Sequence, residues 1–250
     1  KTKVMGNLEA IGGKALDMKS IGNLLQDNGY YTAYFGKWHL GKNPLGTSGW
    51  DEKMLMGADY IAKRKSSRFL KKRKKAKSKY DKPKPFALFV SMIDPHRVYG
   101  FQTHRKRKKH LKKIPLPDSW ENPNYEEKPP VQMQFLKEDQ GRALHKKDTT
   151  EWKRYRSRYK QRVRIFDKTV GKILKTLKKT GEYENSIIII TSDHGDMDTH
   201  NRQLFKGPFM YDHLMRIPLM IRVPKKYKGK PSEEIKEFMT SNVDLVPTLL

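Results

Sequence analysis

The first residues with chemical capacity lie in the loop GKWHLG at positions 36–41. Lys37 supplies a fixed positive charge, and His39 supplies a proton that titrates near neutral pH. Both side chains donate charge-assisted hydrogen bonds, so the pair suits an oxyanion of sulfur or phosphorus. Taken alone, a loop of this composition is more often an ordinary surface turn between glycines.

Two further clusters each add a single candidate. The segment DPH at 94–96 places His96 where it could donate a proton to a leaving group, although a His in such a turn more often bonds a backbone carbonyl. Lys206 precedes a Gly-Pro turn and could reach the same anion as Lys37, and Arg216 precedes a predicted strand. In a chain this basic, however, a single Lys is usually only a solvated charge.

The segment SDHGDMDTH at 192–200 is the densest run of potential metal ligands. Oxygen and imidazole donors crowded after an all-Ile strand indicate a divalent metal site. The alternative is that the acids cap a following helix or pair with nearby Lys and Arg. The candidate ligands are Asp193, His194, Asp196, Asp198 and His200.

Strands that alternate with helices must position these clusters. This alternation predicts an α/β fold with a largely parallel sheet, in which ligands lie beyond the carboxyl ends of the strands. The clusters GKWHLG, DPH and SDHGDMDTH each directly follow a predicted strand. The strand at 85–94 is a continuous apolar run, so we expect it to be buried on both faces. The predicted elements are a helix at 17–29 ending at Gly29, strands at 30–36, 85–94, 186–196 and 217–224, and a helix at 151–180 ending at Gly181.

Five segments in order resemble the signature blocks of the sulfatase family, which belongs to the alkaline-phosphatase-like superfamily. They are GYYTAYFGKWHLG, PFALFVSMIDPH, SIIIITSDHGDM, KGPFMYDHLMRIPLMIRVP and VDLVPTLL, and they run from about Ser20 to Leu250. The resemblance implies an alkaline-phosphatase-like α/β fold with a largely parallel central sheet flanked by helices. Residues 1–250 would form part of the catalytic domain, truncated at both ends.

The resemblance also implies roles for individual residues in the hydrolysis of sulfate esters. Lys37 and His39 would hold the sulfate and the nucleophile, whereas His96 and Lys206 would bind the sulfate and help to protonate the departing alcohol. The metal would usually be Ca²⁺, with Mg²⁺ second. A hard oxygen ligand at 193 agrees with either ion. The residues implied for catalysis and sulfate binding are Lys37, His39, His96 and Lys206, and those implied for the metal are Asp193 and His194.

The family nucleophile is a formylglycine made from a Cys or Ser in a C/S-x-P-S-R-like motif. This chain has no Cys, and its only Pro-Ser pair, Pro231-Ser232, is followed by Glu233. We therefore expect the nucleophile and two further metal aspartates upstream of Lys1, and we expect these 250 residues alone to be inactive. His200 departs from the family pattern and receives no role. The family also implies a periplasmic or extracellular location.

The charge is the remaining unusual feature, with 54 Lys and Arg against 27 Asp and Glu and a net charge of +27. Basic insertions at about 63–84 and 104–113 are predicted as solvated loops. Such a surface attracts polyanions, and the resemblance favours a sulfated small molecule, such as an aryl sulfate, or a sulfated polysaccharide. Nucleic acid is disfavoured, because the first run has only Phe69 and Tyr80 near it for base stacking and no nucleic-acid motif accompanies it.

Three alternatives stay open at this point. A phosphonate monoester or phosphodiester hydrolase of the same superfamily would use the same Lys and His set, since its transition state also spreads negative charge over oxygens. A non-catalytic polyanion-binding protein would explain the basic runs. The basic surface could also steer a sulfated glycan to the active site. The sequence contains no apolar run of about 18 residues that would indicate a transmembrane helix.

Overall fold

The computed structural model describes residues 19–39, 48–55, 57–79, 83–103, 108–227 and 239–249. The chain forms two compact units, each built from separate stretches of sequence. The first unit comprises Lys1–Ile93, Lys168–Asn185 and Gly229–Leu250, and the second comprises Asp94–Asp167 and Ser186–Lys228.

The described residues form five strands, eight α-helices and several short 3-10 turns. The strands are β1 (Tyr31–Gly36), β2 (Glu52–Leu55), β3 (Phe86–Ser91), β4 (Ile188–Thr191) and β5 (Leu219–Arg222). The helices are α1 (Ile21–Asp27), α2 (Asp59–Lys79), α3 (Lys108–Leu111), α4 (Asp118–Glu121), α5 (Pro130–Glu138), α6 (Thr149–Lys179), α7 (Asp212–Met215) and α8 (Leu245–Leu249). The 3-10 turns include His96–Thr103, Tyr125–Glu127, Gln140–Ala143, Tyr183–Asn185, His200–Arg202, Lys225–Tyr227 and Asn242–Asp244.

A parallel three-stranded sheet lies in the first unit, with the strand order β2-β1-β3. Tyr31 is paired with Phe86 at one end of β1, and Gly36 is paired with Ser91 at the other. The α/β class and the parallel pairing are confirmed, whereas β2 was not predicted from the sequence. The expectation that β3 is buried on both faces was wrong: β3 is only half-buried along its length, and among the described residues it lies at an edge of the sheet with β1 as its single strand neighbour.

The basic run at 63–84 was predicted as a loop, and this prediction was wrong for most of its length. Residues 59–79 form helix α2, whose inward face carries Ala62, Ser66, Phe69 and Leu70 at helical spacing, each of them 1 % exposed or less. The Phe69 ring packs between the rings of neighbouring strands. Burial of this stripe therefore outweighs the repulsion among the lysines on the outward face.

The second unit contains the pair β4-β5, which is antiparallel. Both strands were predicted, but their direction departs from the largely parallel arrangement that we expected. The core of this unit surrounds helix α5 and the first half of α6. Its buried members are Val98, Phe101, Leu136, Leu144, Trp152, Tyr155, Leu204 and Phe205.

The two helices predicted at 17–29 and 151–180 are present in the structure as α1 and α6. α6 spans Thr149–Lys179 and ends before Gly181, whose φ of +79° is a conformation that glycine adopts freely. α1 begins after a capping box between Ser20 and Asn23 and ends before Gly29. Parts of other predictions, namely residues 17–18, 40–41, 104–107 and 228–238, lie outside the described residues. In the described part of the chain, no helix is long and apolar enough to cross a membrane.

We predict that Gly36→Ala destabilises the protein by more than about 2 kcal/mol, measured by urea unfolding. Gly36 has a φ of +127°, and a Cβ there would lie 1.8 Å from the Ser91 carbonyl oxygen. Gly171→Ala is the matched control, because nothing lies within 4 Å of a Cβ at this exposed helical position. The control should stabilise α6 by up to about 1 kcal/mol. Equal effects of the two substitutions would contradict the prediction.

Candidate active site

The loop that follows β4 is fixed close to helix α7. The Gly195 amide donates to the Leu214 carbonyl at 2.8 Å, and a Cβ at position 195 would lie only 1.9 Å from the His213 carbonyl oxygen. The Ser192 hydroxyl donates to the His194 carbonyl at 2.7 Å. Only glycine permits this close approach of the two backbones, so Gly195 sets where the adjacent His194 lies.

The imidazole of His194 has one defined tautomer. Its Nδ1 lies 2.7 Å from the Gly195 carbonyl oxygen, which can only accept, so Nδ1 carries the proton. Its Nε2 lies 3.4 Å from the Lys206 Nζ, which as an ammonium group can only donate. The Asp193 carboxylate lies 3.8 Å from the same Nε2. The lone pair of Nε2 is therefore presented on the side where Asp193 and Lys206 also lie.

A column of stacked rings connects His96 to the residue before Lys206. The His96 ring stacks on Tyr99 with centroids 4.5 Å apart, and Tyr99 stacks on Phe205 with centroids 3.8 Å apart. Burial, with the nearby Asp196 and Asp139 charges, raises the pKa of the Tyr99 hydroxyl to about 12. The column is therefore uncharged between His96 and Lys206, and it holds both residues on one framework.

Tyr155 on α6 fixes the loop from the inside. Its buried hydroxyl donates to the Asp196 carboxylate, whose oxygens lie 2.8 and 2.9 Å away, and it accepts from the Phe205 amide at 3.0 Å. The Met197 amide donates to the Phe205 carbonyl at 2.8 Å and closes the loop. Phe205 has a φ of +57°, an uncommon conformation for a residue with a side chain, so its position depends on these bonds.

The carboxyl group of Asp196 is held in an unusual environment. Burial raises its pKa to about 7, and the hydrogen bonds from the Asp198 amide and the Tyr155 hydroxyl only partly oppose this rise. The Asp198 carboxylate instead pairs with Arg156 at 3.0 Å. Both acids thus have partners within the unit, but only Asp198 fits the alternative of pairing with a nearby Arg, since Asp196 accepts from Tyr155 and from the Asp198 amide.

His200 and Arg216 also have structural partners. The His200 Nδ1 lies 3.3 Å from the Ser119 hydroxyl, and its ring stacks on His213 at 3.7 Å. Burial, followed by the His213 and Arg156 charges, lowers the pKa of His200 to about 4. Arg216 lies 3.9 Å from Asp212 in an exposed pair. Neither residue belongs to the group around His194.

Lys37 and His39 lie in the first unit, directly after β1. The Lys37 amide donates to the Ser91 carbonyl at 2.9 Å, and the Tyr34 hydroxyl donates to the Lys37 carbonyl at 2.5 Å. Trp38 packs edge-on against Tyr34, and His39 is exposed. The loop is thus anchored at the end of the parallel sheet. Its placement beside the residues of the second unit stays a prediction.

Four of the six predicted residues therefore lie in one unit and are connected through contacts: His96, Asp193, His194 and Lys206. Sequence reasoning did not find Tyr155, Tyr99 or Phe205. Tyr155 recurs on the apolar face of the predicted helix and looks like ordinary core. Nothing in the local sequence signals its bond to an acid 41 positions away.

The donor types of Asp193 and His194 fit a cation, but they do not complete a site. One exposed carboxylate and one imidazole lone pair lie together, whereas Ca²⁺ takes six to eight ligands. In the described ranges, no group of three or more His, Asp or Glu side chains converges on a common point.

We predict that Tyr155→Phe lowers the free energy of unfolding by about 1–3 kcal/mol, because the Asp196 carboxylate and the Phe205 amide both lose a buried partner. Hydrogen exchange at the Phe205 amide should become faster. Tyr60→Phe is the control, since Tyr60 is 63 % exposed, and it should change stability by less than about 0.5 kcal/mol. Unchanged exchange at Phe205 would contradict the assignment.

Comparison with known proteins identifies the family of the chain. The sequence profile of the Sulfatase family matches residues 2–250. The N-acetylglucosamine-6-O-sulfatase of Bacteroides thetaiotaomicron is 27% identical over 94% of this chain and 53% of its own length. The Delta 4,5-hexuronate-2-O-sulfatase of the same organism is 24% identical over 93% of this chain and 50% of its own length. The chain thus spans about half the length of these relatives.

Solved structures share the fold. One, described as a complex with its substrate D-glucosamine-2-N,6-O-disulfate, has a TM-score of 0.67 and 23% identity, and the match covers 90% of this chain and 58% of that one. The phosphonate monoester hydrolase of Agrobacterium radiobacter has a TM-score of 0.55 and 15% identity over 82% of this chain and 53% of its own. Because the family profile covers nearly all 250 residues, the chain belongs to the sulfatase family.

Proposed function

We propose that the protein hydrolyses sulfate esters of a sulfated carbohydrate. The observation that carries this proposal is the contact between the Lys206 ammonium and His194, on a loop whose ring column also holds His96. A cation and a proton donor held on one framework suit a sulfate ester, which carries one negative charge, and its departing alcohol. The names of the most similar relatives, which act on sulfated sugars, support a carbohydrate substrate.

Each residue has a proposed task. Lys206 neutralises charge on the sulfate oxygens, and His96 donates a proton to the alcohol oxygen as its bond to sulfur breaks. Lys37 and His39 contact the sulfate and the nucleophile. The 250 residues contain no Cys and no C/S-x-P-S-R motif, and we propose that a formylglycine outside them is the nucleophile.

The family is metal-dependent, and we propose Ca²⁺ as the ion. Asp193 and His194 would hold it, with the proton on His194 Nδ1 leaving Nε2 as the ligating atom. When bound, such an ion stabilises negative charge on the substrate and the nucleophile. The Lys206 ammonium, which lies 3.4 Å from His194 Nε2, would contact the sulfate and would not hold the ion.

The first experiment assays the entire gene product for sulfate release. The substrates are N-acetylglucosamine 6-sulfate, an aryl sulfate, an aryl phosphonate monoester and a phosphodiester. We expect turnover of the two sulfate esters to exceed that of the phosphorus esters. Faster hydrolysis of the phosphonate would replace the proposal with phosphonate monoester hydrolysis, which the structural likeness to such an enzyme motivates. We propose a periplasmic or extracellular location for the enzyme, which the name of one relative, an extracellular sulfatase, supports. The protein for the assay is therefore purified from a fraction outside the cytoplasm.

We predict that His96→Gln separates substrates by their leaving groups. Turnover of the sugar sulfate should fall by about 10²–10⁴-fold, because an alkoxide is a poor leaving group without a proton. Turnover of an aryl sulfate should fall far less, because a phenolate leaves readily. Lys206→Ala should impair both substrates, and Lys137→Ala, an exposed lysine of the same unit, should impair neither. Equal losses on both substrates in His96→Gln would remove the proposed role.

A second prediction concerns the metal. Asp193→Asn should raise the Ca²⁺ concentration that gives half-maximal activity by at least about tenfold, since a charged oxygen ligand is lost. Direct Ca²⁺ binding measured by calorimetry should weaken in parallel. Asp212→Asn, which removes an exposed carboxylate of the same unit, is the matched control. An unchanged calcium dependence in Asp193→Asn would show that Asp193 is not a ligand.

A further inference from the structure

A groove lined by lysines lies between two helices of the first unit. Its walls are the outward face of α2 and the last turns of α6, and its volume is about 480 Å³. The nine lining residues, all of them in the described ranges, include no Asp or Glu. They are Lys63, Ser67, Lys71, Lys74, Lys172, Lys175, Thr176, Lys179 and Thr180.

The spacing of these residues makes the groove a regular array. Positions 63, 67, 71 and 74 recur every three or four residues on α2, and positions 172, 175, 176 and 179, spaced by three, one and three residues, share one face of α6. The stretch from Lys63 to Lys74 rises by roughly 16 Å along the helix axis. The groove therefore offers positive charge along a line, which suits an extended ligand better than a single ion.

Packing beneath the groove holds the two helices in place. Phe69 and Leu70 on α2 and Leu177 on α6 are buried, and the Ser67 and Thr176 hydroxyls lie 3.4 Å apart at the floor. The Lys74 ammonium approaches the Lys179 carbonyl at 3.4 Å. The lysines thus project from a folded scaffold, so less conformational entropy is lost on binding than for a flexible basic tail.

The charge in the groove is not neutralised from within. Helix α2 carries eight Lys and three Arg against one Asp, and that residue, Asp59, accepts from the Ile93 amide at 2.7 Å. No ion pair joins any of the six groove lysines to a carboxylate in the part of the chain that the structure describes. Bringing six like charges together costs energy, and an anionic ligand removes that cost.

We propose that this groove, whose lining includes none of the proposed catalytic residues, is a docking site for a sulfated polysaccharide chain. The choice of ligand rests on the proposed function, which gives the protein a sulfated carbohydrate substrate. The lining supports it: ammonium and hydroxyl donors suit sulfate and sugar hydroxyl oxygens, and no aromatic side chain lines the groove to stack on bases. A docked polymer would raise the concentration of sulfate esters near the enzyme.

The test measures binding of heparin to the entire gene product by calorimetry at several NaCl concentrations. The groove variant combines Lys71→Gln, Lys74→Gln, Lys172→Gln and Lys175→Gln. The control variant combines Lys112→Gln, Lys113→Gln, Lys146→Gln and Lys147→Gln, which remove the same charge from exposed positions of the second unit. Circular dichroism and thermal unfolding check that both variants fold.

We expect the groove variant to bind heparin at least about tenfold more weakly at 0.15 M NaCl and the control variant to bind within about threefold of the wild type. The slope of log K against log salt should decrease by about 3 to 4 in the groove variant only, since fewer counterions are released. Equal weakening in both variants, or none in the groove variant, would overturn the proposal. Tighter binding of duplex DNA than of heparin through the same lysines would make the groove a nucleic-acid site instead.

Activity assays keep this inference distinct from the proposed reaction. The groove variant should retain wild-type turnover of a small aryl sulfate and lose turnover of polymeric substrate by about tenfold at low substrate concentration. If neither the wild type nor any variant releases sulfate, while heparin binding is lost only in the groove variant, the proposed hydrolysis is contradicted and the proposed binding site in the groove is supported. If the enzyme is active and heparin binding is unchanged, the groove fails and the reaction stands.

Discussion

The hydroxyl of Tyr155 makes two buried hydrogen bonds, one to the Asp196 carboxylate and one from the Phe205 amide. These bonds join a helix in the core to both ends of the loop that presents His194 and Lys206. Five residues of this loop that are not glycine have positive φ, so local preference alone would not hold its shape. The candidate chemistry therefore depends on a buried phenol that has no proposed catalytic role, and on a core that excludes water from this phenol.

Much of this arrangement was predictable, because strand signals and strand-end chemistry are local. The all-Ile segment before Asp193 and the apolar segment before His96 each predicted a strand, and the structure has a strand at both places. Each strand also predicted the position of the cluster that follows it. Other features depend on distant partners. Tyr155 meets Asp196 across 41 positions, and the antiparallel pairing of β4 with β5 joins residues about thirty positions apart. Helix α2 was missed because its dense lysines conceal a stripe at Ala62, Ser66, Phe69 and Leu70 that only burial makes visible.

The same helix shows how one chain can accommodate an extreme charge. Its inward face contributes aromatic packing against the strands, with Phe69 and Phe86 centroids 5.5 Å apart. Its outward face concentrates ammonium groups that solvent and counterions must screen. Folding stability and surface potential are thus set by different residues of a single element, so the charge can be altered without touching the core. This separation explains why a basic run need not be a disordered one.

Gly36 gives the site a different kind of constraint. Its backbone lies against the Ser91 carbonyl with a φ of +127°, one residue before Lys37. Every single-nucleotide change in a glycine codon that alters the amino acid introduces a side chain, and every side chain begins with a Cβ. Every substitution at position 36 therefore places a Cβ against the Ser91 carbonyl oxygen while the Ser91 backbone keeps its position. A change at position 36 therefore requires an earlier change in the backbone of β3 at Ser91. The sequence of the loop after β1 is in this way constrained by the neighbouring strand.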